Sequence, residues 1–583
     1  MPLITPSKAK NIGFIATRFA GTDGVSLEAA KWAEVLQEAG HRCFWFAGEL
    51  DKPDAISELV PEAHFQTDRN QDIMRAVFGH KARPPAITDA IHELRHFLRG
   101  RLHDFIRRFE LDMLIVQNAL TIPMQIPLGL ALSEVIAETL IPTIAHHHDF
   151  YWERVRFSLN AVGDYLRMAF PPRLDNIEHV VINSTAQEEL AHRKGLSSII
   201  IPNVLDFAHP PNSHVDCSST LRDSIGLGCD DIMILQPTRV VQRKGIEHAI
   251  ELVKELRDPR CKLVISHAAG DEGFEYVEWL KEDARKMNVD LRFLEAPGAS
   301  SAPMNHDVFR HLSLWDVYPH ADFITYPSLY EGFGNAFLEA IYFKKPLLIN
   351  RYAIFVKDIE PQGFDLVVMD GYLTSRNVAA VREVLDSPER RRQMVTHNYQ
   401  VAARHYSYGI LRERLSSLMV NIFGMEPYDG TPATGPHTHL HLFLDRGPMT
   451  ITLQQDPSPD RRLLLSRGDT VTFTLHLSRP LKGQAWLRSN IGHVETTRQE
   501  IIRQAEEDET PLGRDWYDLA MPAVDASTFR IVVPLHQVGH FEAKCYFMEA
   551  GRQTPLWPTG ENTVINVAPA DSCAANIIYN AFV

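Results

Sequence analysis

Residues 327–350 read PSLYEGFGNAFLEAIYFKKPLLIN. A strand ends at Pro327, a glycine-containing loop follows, a helix begins at about Asn335, and PLLIN (346–350) forms the next strand. Gly332 and Gly334 let the backbone adopt unusual dihedrals and come close to a ligand. The helix start behind them offers unpaired N–H groups and the positive end of the dipole, which suits a diphosphate. Glu331 lies in the loop and Glu339 on the second helical turn, so the two carboxylates can bracket a nucleotide sugar. Each accepts two hydrogen bonds, which fits the vicinal hydroxyls of a ribose or hexose. A capping Glu331 and a solvated Glu339 would use the same residue types, so the types alone leave a structural role open.

Outward from this unit the same rhythm repeats. Towards the N-terminus, DIMILQP (231–237), KLVISHA (262–268), LRFLEA (291–296) and DFITYP (322–327) are apolar runs of strand length, and GIEHAIELVKELRD (245–258) is an amphipathic helix. Earlier still, NIGFIA (11–16), HRCFWFAG (41–48), DMLIVQ (112–117), PTIAH (142–146), HVVINS (179–184) and IIIPN (199–203) read as strands, with a helix over 27–40 stopped by Gly40. The polar, proline-containing stretch 206–228 reads as a linker between the two series. Alternating strands and helices imply parallel sheets covered on both faces. We therefore expect two doubly wound Rossmann-like domains, 1–205 and 206–424, facing a cleft and binding ligand at the strand C-termini. Residues 389–424 read as closing helices. Beyond Gly424 a turn-rich linker leads into short alternating segments such as TVTFTLHLS, FRIVVPL and FEAKCYFME, which predict an antiparallel β-sandwich over 425–583.

Composition narrows the partners. The formal net charge is −15, which disfavours a nucleic-acid polymer while leaving room for a single nucleotide in a basic pocket. The most apolar region, 121–145, is interrupted by Pro123, Pro127, Glu134, Glu138 and Pro142, so no membrane span is expected. The start, MPLITPSKAK, lacks the apolar core of a secretory signal. Six scattered cysteines without a C-x-x-C pair predict a reducing, cytoplasmic setting rather than disulfides or a zinc cluster.

A second segment, LQPTRVVQRKGIEHAI (235–250), places Arg239 and Lys244 just beyond a strand end. Two cations there can neutralise a diphosphate and stabilise a departing phosphate as charge builds on it. The EGFGNAFLE segment and the R-x4-K-G pattern upstream of it resemble the retaining GT-B glycosyltransferases, the group that includes sucrose-phosphate and trehalose synthases. The resemblance covers about residues 11–424. It implies a hexosyl transfer from a UDP-, GDP- or ADP-sugar with no required cofactor. It also implies roles: Glu331 beside the donor sugar, Glu339 on the ribose, Arg239 and Lys244 on the diphosphate, and Gly334 and Asn335 in a loop whose backbone meets the donor. The glycine loop RFAGTDGVSLE (18–28), with Gly21 and Gly24, corresponds to the family loop that faces the donor phosphates. It does not fit G-x-G-x-x-G, so no nicotinamide cofactor is expected.

In PTIAHHHDFYWERVRF (142–157) a strand runs into three histidines and an aspartate. Family members place a histidine at this strand exit near the reacting carbon. That points to His148 with Asp149, with His146 and His147 as the alternative registers. Three adjacent histidines point in different directions and seldom chelate one ion. Arg154, Arg156, Arg167 and Arg173 can hold a carboxylate or phosphate on the acceptor, or form ordinary surface ion pairs. HHHDFYWER is similar to transferases that make small sugar-glycerate solutes.

The C-terminal segment resembles instead the β-sandwich that precedes the catalytic barrel of amylase-family or debranching proteins, without any amylase catalytic residue. It implies glucan binding, partner docking, or a link to an amylase-type domain beyond NIIYNAFV. Trp486, Trp516 and Trp557 are candidates for stacking on sugar rings, core roles being the alternative. His437, His439 and His441 share a strand face or end a linker, and EEDE (506–509) reads as a solvated loop. The acceptor is thus a sugar, sugar acid or glucan. The competing classes are a non-catalytic carbohydrate-binding scaffold, and a phosphorylase or epimerase on the same architecture.

Overall fold

The structure is a computed structural model that describes residues 9–21, 23–210, 220–266, 274–294, 314–423, 451–492, 516–551 and 554–568. The His437/His439/His441 group, the 506–509 run and NIIYNAFV lie outside the described residues. The chain divides into two compact units. One joins Met1–Ile201 to Leu411–Val583, and the other is Pro202–Ile410.

The first unit is built on seven parallel strands: β1 (Asn11–Ile15), β2 (Arg42–Ala47), β3 (Ser57–Leu59), β4 (Met113–Gln117), β5 (Thr143–His147), β6 (Ile177–Val181) and β7 (Ile199–Ile200). Their order is β3-β2-β1-β4-β5-β6-β7. The order reverses direction between β1 and β4, and a doubly wound sheet opens its ligand crevice at such a point, at the strand C-termini. β1, β4 and β5 are buried at every position because helices cover both faces. The first helix spans Gly24–Glu38, starting earlier than the apolar pattern indicates. Asp23 caps it by accepting from the N–H groups of Val25 and Ser26. A 25-residue helix, Pro85–Phe109, buries Ile91, Leu94, Leu98, Leu102 and Phe105 as a single stripe. The many Arg and His residues between those positions hide that stripe in the sequence.

The second unit repeats the plan with β8 (Ile232–Gln236), β9 (Cys261–Ile265), β10 (Leu291–Phe293), β11 (Phe323–Tyr326), β12 (Leu347–Asn350) and β13 (Val367–Met369), in the order β10-β9-β8-β11-β12-β13. All its pairs are parallel. The reversal falls between β8 and β11, the two strands that lead into the R-x4-K-G and E-x7-E segments. The first and second units thus carry the two Rossmann-like domains expected from the sequence.

The region expected as closing helices is two helices, Pro388–His405 and Tyr408–Phe423. The chain breaks at Tyr406, whose carbonyl accepts from the Leu205 N–H at 3.0 Å. From Leu411 onward the last helix belongs with the N-terminal unit, where Arg412 pairs with Glu38 at 2.5 Å and Arg530 pairs with Glu413 at 3.4 Å. The units therefore part near residues 201 and 410, earlier than the sequence boundaries at 205 and 424. Local composition marks where a helix ends, not which sheet it packs on.

The C-terminal strands form a sandwich within the first unit. One sheet orders β14 (Leu453–Asp456), β16 (Thr470–Leu477) and β19 (Thr528–Pro534) as β14-β16-β19. The other contains β15 (Arg462–Ser466), β17 (Gly483–Ser489), β18 (Tyr517–Met521), β20 (Gly539–Glu549) and β21 (Thr563–Ala568), ordered β15-β21-β20-β17-β18. The sandwich is antiparallel apart from the parallel pair β15–β21. Val471, Phe473, Leu475 and Leu477 alternate inward on β16 and meet Ala485, Leu487, Ala543, Cys545 and Phe547 in one core. His536 ties the sandwich to the Rossmann-like sheet, with Ser197 Oγ at 2.6 Å from Nδ1 and Glu178 at 3.5 Å from Nε2.

Candidate active site

The loops after β8 and β11 are stitched together by their backbones. The Leu329 N–H donates to the Arg243 carbonyl at 2.9 Å, and Arg243 Nη1 donates to the Tyr330 carbonyl at 3.2 Å. Gly245 holds φ +59°, and a Cβ there would lie 2.6 Å from the Pro327 carbonyl, so only glycine allows this approach. This stitching brings Lys244 and Glu331 into a direct ion pair, buried at 8% and 9% exposure. Arg243 adds a second cation 3.7 Å from Glu331. Burial lowers the Lys244 pKa, and the Glu331 carboxylate offsets part of that fall. Arg239 stands exposed at the edge of the same loop, close enough for its charge to act on Lys244.

The helix Asn335–Tyr342 begins directly behind this pair. Gly334 is its N-cap at φ +118°, and its missing Cβ makes room for the Tyr352 hydroxyl, which donates to the Phe333 carbonyl at 2.8 Å. Asn350 Nδ2 donates to the Ser328 carbonyl at 3.0 Å, anchoring the loop from the β12 side. Asn335 is exposed and accepts from Asn203 Nδ2 at 2.6 Å. Glu339 accepts from the Tyr318 hydroxyl at 2.9 Å. The arrangement thus offers three cations and a free helix start beside one carboxylate, with a second carboxylate on the next turn. It can hold a diphosphate at one end and hydroxyl groups at the other.

In the first unit, β5 delivers His146 and His147 into the interior and His148 to the strand exit. His148 Nε2 lies 3.0 Å from Gln117 Oε1, and its backbone N–H donates to Asn118 Oδ1 at 3.0 Å. Trp32 stacks on His146 at 4.3 Å, and the His148 ring lies tilted against His146 at 4.2 Å. Burial pushes His148 down to about 4, so it is a neutral imidazole at ordinary pH. Asp149 accepts from Arg154 Nε at 2.6 Å and from Asn118 Nδ2 at 3.2 Å, so these two sequence-chosen residues engage each other. Arg156 lies over the Phe157 ring at 4.6 Å and reaches the Met124 sulfur. Gly24 is the first residue of its helix rather than a left-handed loop residue. The Val25 and Ser26 N–H groups behind it are capped by Asp23.

Several residues of these sites carried no sequence signal of their own. Tyr318, Tyr326 and Tyr352 are buried and read as ordinary core aromatics. Gln117 and Asn118 had a weak one, since a polar pair ends an apolar strand at a sheet C-terminus. Asn118 holds φ +59°, which turns its side chain back to bind both His148 and Asp149. No group of metal-ligating side chains occurs among the described residues, and no described helix is long and apolar enough to cross a membrane.

Residues 218–401, which include Lys244, Glu331 and Glu339, match the family described as glycosyl transferases group 1. A mannosylglucosylglycerate synthase from Thermotoga maritima is 32% identical over 433 residues, covering 70% of this chain and 98% of that protein. One from Petrotoga mobilis is 35% identical over 379 residues, covering 61% and 86%. A solved glycosyltransferase from Rickettsia africae ESF-5 shares the fold with a TM-score of 0.53 at 12% identity, covering 72% of this chain and 100% of that one. Two Rossmann-like units of GT-B type, the family match and the near full-length relatives converge: this chain is a glycosyltransferase and belongs to the group 1 glycosyltransferase family.

Proposed function

We propose that the protein is a retaining hexosyltransferase that takes its sugar from a nucleotide diphosphate donor and passes it to a sugar or sugar-acid acceptor. The observation that carries this reading is the buried Lys244–Glu331 pair, flanked by Arg239 and Arg243 at the start of the Asn335 helix. Lys244, held by the Glu331 carboxylate and lying over the Tyr326 ring, can exchange that carboxylate for a phosphate oxygen when a donor enters. Lys244 and Arg239 then take the diphosphate, Glu331 stands by the donor sugar, and Glu339 takes the ribose. The bond from the anomeric carbon to the phosphate oxygen breaks, and the acceptor oxygen bonds to that carbon from the same face. The acceptor proton passes to the departing phosphate, so charge stabilisation matters more than a dedicated base.

His148, neutral and fixed by Gln117, is proposed to contact the donor sugar in the first unit. Two relatives are named for synthesis of mannosylglucosylglycerate, a product bearing a carboxylate. That supports a sugar-acid acceptor met by Arg154 or Arg156. The sandwich is proposed as a glucan-binding accessory. The exposed Trp557 lies 4.7 Å from the buried Tyr546 ring, Trp486 lies near-parallel to Tyr546, and Arg488 lies over Tyr546 and Trp557.

The test is a thermal-shift screen with UDP, GDP and ADP, then product analysis with the sugar nucleotide of the winning base. Stabilisation by one nucleotide and a new α-glycoside support the reading. A scaffold shows neither donor hydrolysis nor transfer, a phosphorylase requires inorganic phosphate, and an epimerase converts the donor without acceptor.

A further inference from the structure

Glu339 is the residue proposed above to take the ribose, and the following rests on that reading. A glutamate side chain has three rotatable bonds, so a carboxylate that must meet two adjacent hydroxyls at fixed angles loses entropy on binding unless something already holds it. Tyr318 does hold it. Its hydroxyl donates to Glu339 Oε2 at 2.9 Å. The Tyr318 side chain is fully buried, and its ring stacks on Phe343 with centroids 5.1 Å apart and planes 6° apart. The ring therefore cannot swing, and the hydroxyl has a fixed address. Tyr318 lies in the short turn Tyr318–His320 ahead of β11, whereas Glu339 lies on the helix that follows β11. Two segments separated by a strand thus converge on one carboxylate. Burial and the carboxylate both raise the phenol pKa, so the hydroxyl keeps its proton at any working pH and acts only as a donor.

We propose that Tyr318 is a positioning residue for nucleotide recognition: it pins one oxygen of Glu339 and so presents the carboxylate to the ribose hydroxyls of the donor. Tyr318 touches no substrate itself. The contact holds the carboxylate before the donor arrives and after it has reacted, so its contribution is the same in the ground and transition states. Its loss raises KM and leaves kcat nearly unchanged.

The experiment measures binding of UDP, GDP and ADP, and of their 2′-deoxy and 3′-deoxy forms, to the full chain by calorimetry. The variants are Tyr318→Phe, Glu339→Ala and the two combined. Phenylalanine keeps the stacked ring, and the oxygens it leaves behind are those of a half-buried carboxylate and of the helical Ala336 carbonyl 3.4 Å away, so the fold is retained. For the nucleotide that binds the native chain, Tyr318→Phe is expected to weaken binding about tenfold. The loss should shrink to less than about twofold for whichever deoxy form lacks the hydroxyl that Glu339 takes, and should vanish in the Glu339→Ala background. A merely structural role weakens ribo and deoxy nucleotides alike, and that result overturns the proposal. If Glu339→Ala itself binds ribo and deoxy nucleotides in the native ratio, the ribose reading of Glu339 falls, and that failure is distinct from the first.

Discussion

The buried imidazoles of the first unit make its stability fall in mild acid, and His179→Gln isolates one share of that fall. His179 Nδ1 lies 2.9 Å from His147 Nε2, and the Thr121 hydroxyl meets His147 Nδ1. A single proton can sit between the two rings, so both are neutral. Burial pushes His179 down to about 4 and His146 and His147 well below their usual value. An unfolded histidine titrates near 6.5. Between those values the unfolded chain binds a proton that the folded chain refuses, so stability is full above pH 6.5 and is lost as pH falls towards 4. The gap of about 2.5 in pKa, at about 1.36 kcal/mol each, gives about 3 kcal/mol from His179 alone. The assay follows urea unfolding from pH 7.5 to 4, read by amide protection of the strand Ile177–Val181. The native chain should lose about 3 kcal/mol more over this range than His179→Gln, since carboxylate contributions are common to both. Deuterium exchange at the imidazole C2 position should place His179 near 4. Equal pH slopes in the two proteins, or a His179 midpoint near 6.5, would refute the reasoning.

Lys244→Met and Glu331→Ala are each expected to cut transfer by at least about a hundredfold with the fold intact, and near-native turnover by either removes that residue from the chemistry. Glu331→Ala also leaves the buried Lys244 without its carboxylate, at a cost of about 3–5 kcal/mol, whereas Lys244→Met still leaves Arg243 3.7 Å from Glu331, so a Lys244→Met/Glu331→Met double variant should unfold at higher urea than Glu331→Ala. Gly334→Ala places a Cβ 2.4 Å from the Tyr352 hydroxyl at a backbone angle that alanine resists. It should lose about 2–4 kcal/mol in urea melts, and adding Tyr352→Phe should restore part of that. Trp557→Ala should abolish retention of the chain on a glycogen affinity gel without altering transfer to a small acceptor; unchanged retention would remove the sandwich from glucan binding.

Much of the fold is legible in the sequence because parallel strands buried on both faces must be continuous apolar runs. NIGFI and MLIVQ are close to such runs, while TIAHH buries two histidines at its end, and each strand found there lies within about two residues of its expected place. The helix Pro85–Phe109 escaped because its buried stripe is diluted by long cationic side chains. The sandwich was legible from period-two alternation, as in TVTFTLHL.

The site divides in the same way. Residue type and spacing singled out the candidate side chains on the β8 and β11 loops, since Gly245 and Gly334 hold backbone angles that favour glycine and Arg239, Lys244, Glu331 and Glu339 lie at short fixed offsets from them. Only the tertiary structure decided which partners these groups hold: that Lys244 spans 87 residues to reach Glu331, that Tyr318 pins Glu339, and that Gln117 and Asn118 fix His148. A short-range pattern specifies a strand, a turn or a cap because those interactions are local. A hydrogen bond between segments far apart in the chain exists only once the sheet has set their order, and no local spacing encodes it.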